Sequence, residues 1–188
     1  MKPCWTILIV CLMMPACRGR DRALTITDQT LFRVVLKHFA TANTWTSTNC
    51  ALIYVQDRTI QGTGWISDGQ LDCELSPRGR VLDADMKQSL RHRSKSPVSL
   101  VAFDPGDSSV CVTNALPEFE YSYTNRQCTF KARMSFWMPG YSKDRQSAVV
   151  RFGYGPLTHS RHRATGTYKL VNENGNWRVD WAEFGEYP

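Results

Sequence analysis

The chain has 188 residues and no run of about 20 apolar residues, so no ordinary membrane-spanning helix is encoded. It has no C-x-x-C pair, the close ligand spacing that zinc sites use. Gly-x-Ser-x-Gly is missing, which removes the strained elbow that presents a hydrolase serine. A Gly-rich phosphate loop and the H-E-x-x-H helix of zinc proteases are missing too. No internal repeat argues against a solenoid, and no low-complexity tract argues against a disordered tail. Charge of one sign is scarce: 23 Lys and Arg against 17 Asp and Glu leave +6, too little to argue for a nucleic-acid partner. What is present is ordinary for a folded domain: 42% hydrophobic and 21% charged residues exclude wholesale disorder. The length fits one domain able to bury its own core. No cofactor and no metal is expected from these patterns.

Residues 1–17 read MKPCWTILIVCLMMPAC. Lys2 precedes an apolar run from Trp5 to Met14, and small Ala16 precedes Cys17. A basic start, a short apolar segment and a small residue at the cut describe a secretory signal. Cys17 directly after Ala16 resembles the bacterial lipobox, whose cysteine is lipidated and becomes the first mature residue. The expected organisation is a signal peptide over 1–16, an anchor and tether over 17–26, and one domain over 27–188. The expected location is the bacterial cell envelope, membrane-anchored and facing the periplasm or exterior. Arg18, Arg20 and Arg22 follow the anchor with only Asp21 opposing, which adds weak attraction to anionic headgroups.

Seven cysteines occur. Cys4 and Cys11 fall in the signal and Cys17 takes the lipid. Cys50, Cys73, Cys111 and Cys128 remain, an even set that suggests two disulfides in an exported domain. Of the three possible pairings, Cys50–Cys73 with Cys111–Cys128 closes the shortest loops.

The segment Thr27 to about Thr41 predicts an amphipathic helix. Leu31, Val35 and Phe39 lie four apart, with Phe32 and Leu36 beside them, and Thr27 or Asp28 is the expected cap. Ala51 to Gln56 reads as a strand, Asp83 to Arg93 as a short helix, and Val98 to Phe103 and Val110 to Val112 as further strands. The last sixty residues alternate more clearly. Phe130, Ala132, Met134 and Phe136 share one face, as do Ala148, Val150, Phe152 and Tyr154. Ala164, Gly166, Tyr168 and Leu170 follow, then Trp177, Val179 and Trp181 after the turn Glu173-Asn174-Gly175-Asn176. Four period-two segments predict an antiparallel meander with one buried face. The expected fold is α+β: an N-terminal amphipathic helix packed on a curved antiparallel sheet.

Residues 139–181 carry a resemblance. PGYSKDRQSAVVRFGYGPLTH followed by ATGTYKLVNENGNWRVDW resembles the end of uncharacterised exported bacterial lipoprotein-type proteins. The Gly-x-Trp-x-Val hairpin also resembles the closing strands of NTF2-like (cystatin-like) domains. The resemblance implies export and a helix on a curved sheet, and it carries no activity and no catalytic residues. Such folds hold enzymes and inert pockets alike.

On the face opposite the apolar one, alternation places Lys131, Arg133, Arg151, Lys169 and Arg178, opposed on these strands by Asp180. An exposed face of that kind would meet anionic lipid or an acidic envelope polymer. His159 and His162 read as a polar connection, and His92 sits between Arg91 and Arg93. Two functions follow. One is a non-catalytic, lipid-anchored envelope protein that acts by binding. The other is a small hydrolase-like envelope enzyme, which needs His38, Asp28 or Glu118 in a cavity lined by Tyr168 and Trp181.

Overall fold

A computed structural model describes residues 23–42, 52–62, 64–114, 131–156 and 164–186. The signal, Cys17, Cys50, Cys128, Glu118, His159, His162 and the side chain of Lys131 lie outside the described residues. Among the described residues, no helix is long and apolar enough to cross a membrane.

The fold is mixed α+β, with three helices and one open seven-stranded sheet among the described residues. Helix α1 spans Ile26–Ala42. It starts one residue before the expected segment because its cap is Thr25, not Thr27. The Asp28 amide donates to Thr25 Oγ1 at 3.1 Å, and Thr25 N donates to Asp28 Oδ2 at 3.0 Å. That is a reciprocal capping box with Asp at the third helical position. Leu31, Phe32, Val35, Leu36 and Phe39 are all buried against the sheet.

Strand β1 (Leu52–Gln56) pairs parallel with both β2 (Val110–Thr113) and β3 (Lys131–Phe136). The sheet is therefore mixed, not antiparallel throughout. The remaining pairs are antiparallel: β3 and the two-residue β4 (Gly140–Tyr141) both lie along β5 (Ser147–Pro156), followed by β6 (Ala164–Glu173) and β7 (Asn176–Glu186). The order across the sheet is β2-β1-β3-β5-β6-β7. The β6–β7 turn places Asn174 and Gly175 at φ 54° and 88°, the pair of positive angles that a two-residue hairpin needs.

Both faces are covered. Helix α2 (Asp68–Leu75), capped by the Ser67 side chain, and helix α3 (Ala84–Arg93) lie on the face opposite α1. There Ile66, Leu71, Leu75, Leu82, Met86 and Leu90 pack on Trp137 and Val149. Helix α3 lies close to β4: a Cβ on Gly140 would sit 2.4 Å from the Met86 carbonyl oxygen, so only glycine admits this approach. Val98 to Phe103 is not a strand. A single bridge, Arg58 to Ser99, forms there, and Phe103 N turns back to the Leu100 carbonyl at 2.8 Å.

Strand β7 contains a bulge. Leu170 pairs with Val179 and Lys169 with Trp181, which leaves Asp180 as an extra residue. The alternation flips there. Trp177 and Val179 pack with the α1 cluster, but Trp181 packs with the α2–α3 cluster.

Candidate functional site

The expected basic face is not an open surface. Arg151 is 0% exposed, because α2 covers it. Its Nη2 donates to both oxygens of Glu74 at 2.8 Å, and its Nη1 donates to Thr167 Oγ1 at 2.8 Å. The guanidinium also stacks 5.8 Å from the Trp137 ring. Lys169 pairs with Asp180 at 3.2 Å, and Arg178 pairs with Glu173 at 2.5 Å. Arg133 is half-buried on β3 and makes no ion pair among the described residues. Arg151 is therefore corrected out of the expected face: it lies under α2 on Glu74, while Lys169 and Arg178 remain nearer the surface and pair with Asp180 and Glu173.

Cys73 lies exposed on α2 and Cys111 exposed on β2, and neither is bonded to another described cysteine. Their expected partners, Cys50 and Cys128, lie outside the described residues.

The pocket that an enzyme would use is not assembled from the expected residues. Tyr168 lies on the α1 face and Trp181 on the other, so they line no common cavity. His38 Nδ1 lies 3.2 Å from the Tyr168 hydroxyl, and the two rings meet edge to face. Burial, then the neighbouring Tyr154, holds the Tyr168 hydroxyl in its protonated form well past its ordinary range. Asp28 has its carboxylate fully occupied, as follows.

A different site stands where α1 begins. Asp28 is 0% exposed and accepts from five donors, contributed by Thr25, Arg93 and Tyr141. Arg93, the last residue of α3, grips it with Nη1 on Oδ1 and Nη2 on Oδ2, each at 2.8 Å. Tyr141 on β4 donates its hydroxyl at 2.7 Å, and Thr25 adds its amide and hydroxyl. Burial alone would raise the Asp28 pKa, but the Arg93 hydrogen bonds and charge outweigh it and hold the group below its ordinary 3.8. Burial, then the Asp28 charge, pushes the Tyr141 hydroxyl far up in turn. The Arg93 guanidinium also lies 5.0 Å from the Tyr141 ring centre and gives a hydrogen bond to the Pro139 carbonyl.

This knot is one wall of a cleft of about 1190 Å³. The other walls are the end of α3 with Lys95 beyond it, the β4–β5 turn, and the β6–β7 turn with Trp177. The cations facing it sort into two groups. Arg91 and Arg93 stand in the last turn of α3, where positive charge offsets the helix dipole. Arg91 also pairs with Asp68, and Arg93 with Asp28. Lys95, Lys143 and Arg145 belong to no helix, are exposed, and have no carboxylate partner among the described residues. The one acid among the described lining residues, Asp85, accepts from the Met86 and Lys143 amides at 3.0 and 2.6 Å.

Arg145 is held at φ 59°, a left-handed angle that glycine and asparagine adopt easily and arginine does not. The turn demands it: the Arg145 amide donates to the Ser142 carbonyl at 3.0 Å, and the chain enters β5 two residues later. The angle costs roughly 1–2 kcal/mol for a side chain with a Cβ. It leaves the guanidinium 5.9 Å from the Tyr141 ring, at the cleft. Periodicity in the sequence does not reveal this cleft, because its cations come from separate segments and meet only in the fold.

Compared with known proteins, the chain matches no family model, no curated protein and no solved structure.

Proposed function

We propose that the protein is a non-catalytic binding module of the bacterial cell envelope, exported and held at the membrane through a lipid on Cys17. Its working surface is the basic cleft between α3, the β4–β5 turn and the β6–β7 turn. The observation that carries this reading is the set Lys95, Lys143 and Arg145: three exposed cations around one concavity, unmatched by any carboxylate among the described residues. An ordinary solvated face mixes signs, as β7 does with Arg178 and Asp180. The left-handed Arg145 adds weight, since backbone strain kept at a charged residue points to use. The ligand class is anionic. The finer layout of the expected fold belongs to the same reading: an amphipathic N-terminal helix on a curved sheet, with β3, β5, β6 and β7 as a C-terminal meander resembling NTF2-like domains. Disulfides from Cys73 and Cys111 to Cys50 and Cys128 belong to this reading and suit an oxidising compartment.

Two measurements test it. Radiolabelled palmitate should enter the wild-type protein and not Cys17→Ser, which should move from the detergent to the aqueous phase. Retention on an anionic matrix should fall with rising salt and be lost in the triple variant Lys95→Glu, Lys143→Glu, Arg145→Glu. Equal retention of the variant would overturn the cleft as the working surface.

A further inference from the structure

The cleft sits where the chain enters the fold. Ala23, Thr25 and Thr27 line it, and they are among the first described residues. Cys17 lies six peptide steps before Ala23, which span at most about 20 Å when fully extended. A lipid on Cys17 would therefore keep the edge of this cleft at Ala23 within about 20 Å of the bilayer. Three further arginines, Arg18, Arg20 and Arg22, lie within that span.

We infer that the cleft docks the domain onto its own membrane by binding the phosphodiester headgroups of anionic phospholipids in the leaflet that carries the anchor. The inference rests on the anchored reading above and names the ligand of that same cleft. Three observations favour headgroups over a polymer farther out. The first is the short tether, which lets the cleft come within a Debye length of the surface, about 8 Å at physiological salt. The second is the origin of the unpaired cations: Lys143 and Arg145 stand on the β4–β5 turn and Lys95 beyond α3, so charge reaches the same concavity from two separate segments. The third is the composition of its lining, where the exposed Gln146 offers an amide beside the Tyr141 ring, while the Ser89 and Ser142 hydroxyls are held by Tyr141 N and by the β4–β5 turn, a mixture that suits a headgroup with its glycerol. Two carboxylates stand near. Asp85 lines the cleft with both oxygens engaged by amides, and Asp144 at the tip of the turn accepts from Ser142 Oγ and the Gln146 amide. They do not cancel three lysine and arginine charges joined by those of the tether.

The test uses the full chain expressed and exported with Cys17→Ser, purified from the aqueous fraction, so that no lipid assists. Sedimentation with phosphatidylcholine vesicles should carry down almost none of it. Vesicles that also contain phosphatidylglycerol should carry it down, less so as salt rises. A cation near such a surface is worth roughly fivefold in affinity, so Lys143→Glu with Arg145→Glu should weaken binding at least about tenfold. Arg145→Gly provides the discriminating variant. Glycine relaxes the left-handed angle, so its melting temperature should rise while its vesicle affinity falls about fivefold. A cation with only a structural role would move both in the same direction.

Four results would overturn the inference: no binding to phosphatidylglycerol vesicles by protein that melts cooperatively; binding untouched by the cleft variants and abolished by replacing Arg18, Arg20 and Arg22; binding displaced by millimolar inorganic phosphate; or tighter binding to a soluble polyuronate than to vesicles. The last two place a free anion or a glycan in the cleft. Palmitate labelling separates the two readings. A labelled wild type whose Cys17→Ser variant ignores vesicles leaves the anchor standing and ends the docking. An unlabelled wild type ends the anchor.

Discussion

On the α1 side of the sheet nearly every contact is aromatic or aliphatic. Phe32 meets Phe136 at 4.6 Å, Phe39 meets Phe152 at 5.6 Å, and Phe152 meets Tyr168 at 5.7 Å. On the α2–α3 side a guanidinium with no solvent exposure lies against the Trp137 ring, held by Glu74 and Thr167. Both sides are buried, yet they fail differently. An apolar face loses stability in proportion to the volume removed and tolerates changes of shape. A buried ion pair is sensitive to the loss of one member and indifferent to the loss of both. The lesson is that burial here is set by which helices land on the sheet, not by the polarity of the strands beneath them.

The strongest way to break the contrast is Arg151→Glu. It places a second carboxylate against Glu74 with little solvent to share the charge, and it should abolish cooperative folding, a loss of more than about 5 kcal/mol. Were the strands' alternation the whole story, the same change would cost under about 0.5 kcal/mol. Circular dichroism and a thermal melt decide between them. On the other face, Phe152→Ala should cost about 3–5 kcal/mol through the cavity it leaves, measured by urea denaturation.

Asp28→Ala should cost about 3 kcal/mol at neutral pH, since it leaves the largely buried Arg93 without its partner. Here pH sharpens the comparison. The Asp28 pKa is depressed on folding, so its contribution is complete above the unfolded value of 3.8 and is lost as pH falls through the folded value. The gap between wild type and variant should therefore narrow below pH 3.8, whereas the gap for Phe152→Ala should not. Urea midpoints taken across the acid range read both.

Much of this is legible in the sequence. The stripe Leu31, Val35, Phe39 marks α1, the alternation marks β3 and β5 to β7, and Asn174-Gly175 marks the last turn. What escapes has identifiable causes. Helix α2 is eight residues long, and only Leu71 and Leu75 within it are buried, too short a pattern to stand out. Without α2 in view, Arg151 and Thr167 alternate as solvent-facing residues do. The cap falls two residues before Thr27 because Thr25 and Thr27 are equally good chemically, and only the reciprocal bond to Asp28 separates them. Trp181 faces the side opposite to the expected one because a bulge carries no strong local signal. The cleft depends on tertiary proximity of residues 95, 143 and 145.

Two smaller effects complete the comparison. Arg151→Met with Glu74→Leu replaces the ion pair by apolar groups of similar size and should change stability by no more than about 1–2 kcal/mol, far less than Arg151→Glu. Deleting Asp180 should cost less than about 1 kcal/mol, the smallest change of all. The deletion restores straight alternation with Val179 still facing α1 and Trp181 still facing α2, and it removes only the ion pair to Lys169. A large loss on deletion would mean that the bulge positions more than those two rings, and a melt of the deletion variant reads it directly.

The place of β1 has a kinetic consequence. This strand lies between β2 and β3 and runs parallel to both, and its partner Lys131 lies far along the chain from Leu52. Parallel pairing cannot close through a tight turn, so β1 gains its neighbours only after a long loop has shut. The hairpins β5–β6 and β6–β7 close locally and quickly. The natural order of assembly is the reverse of synthesis. The C-terminal hairpins, made last, form the template, and the N-terminal half then docks onto β3 and the two helical layers follow. Until its final third exists, a nascent chain can close only the parallel β1–β2 pair, and the rest of the sheet waits for the C-terminal strands.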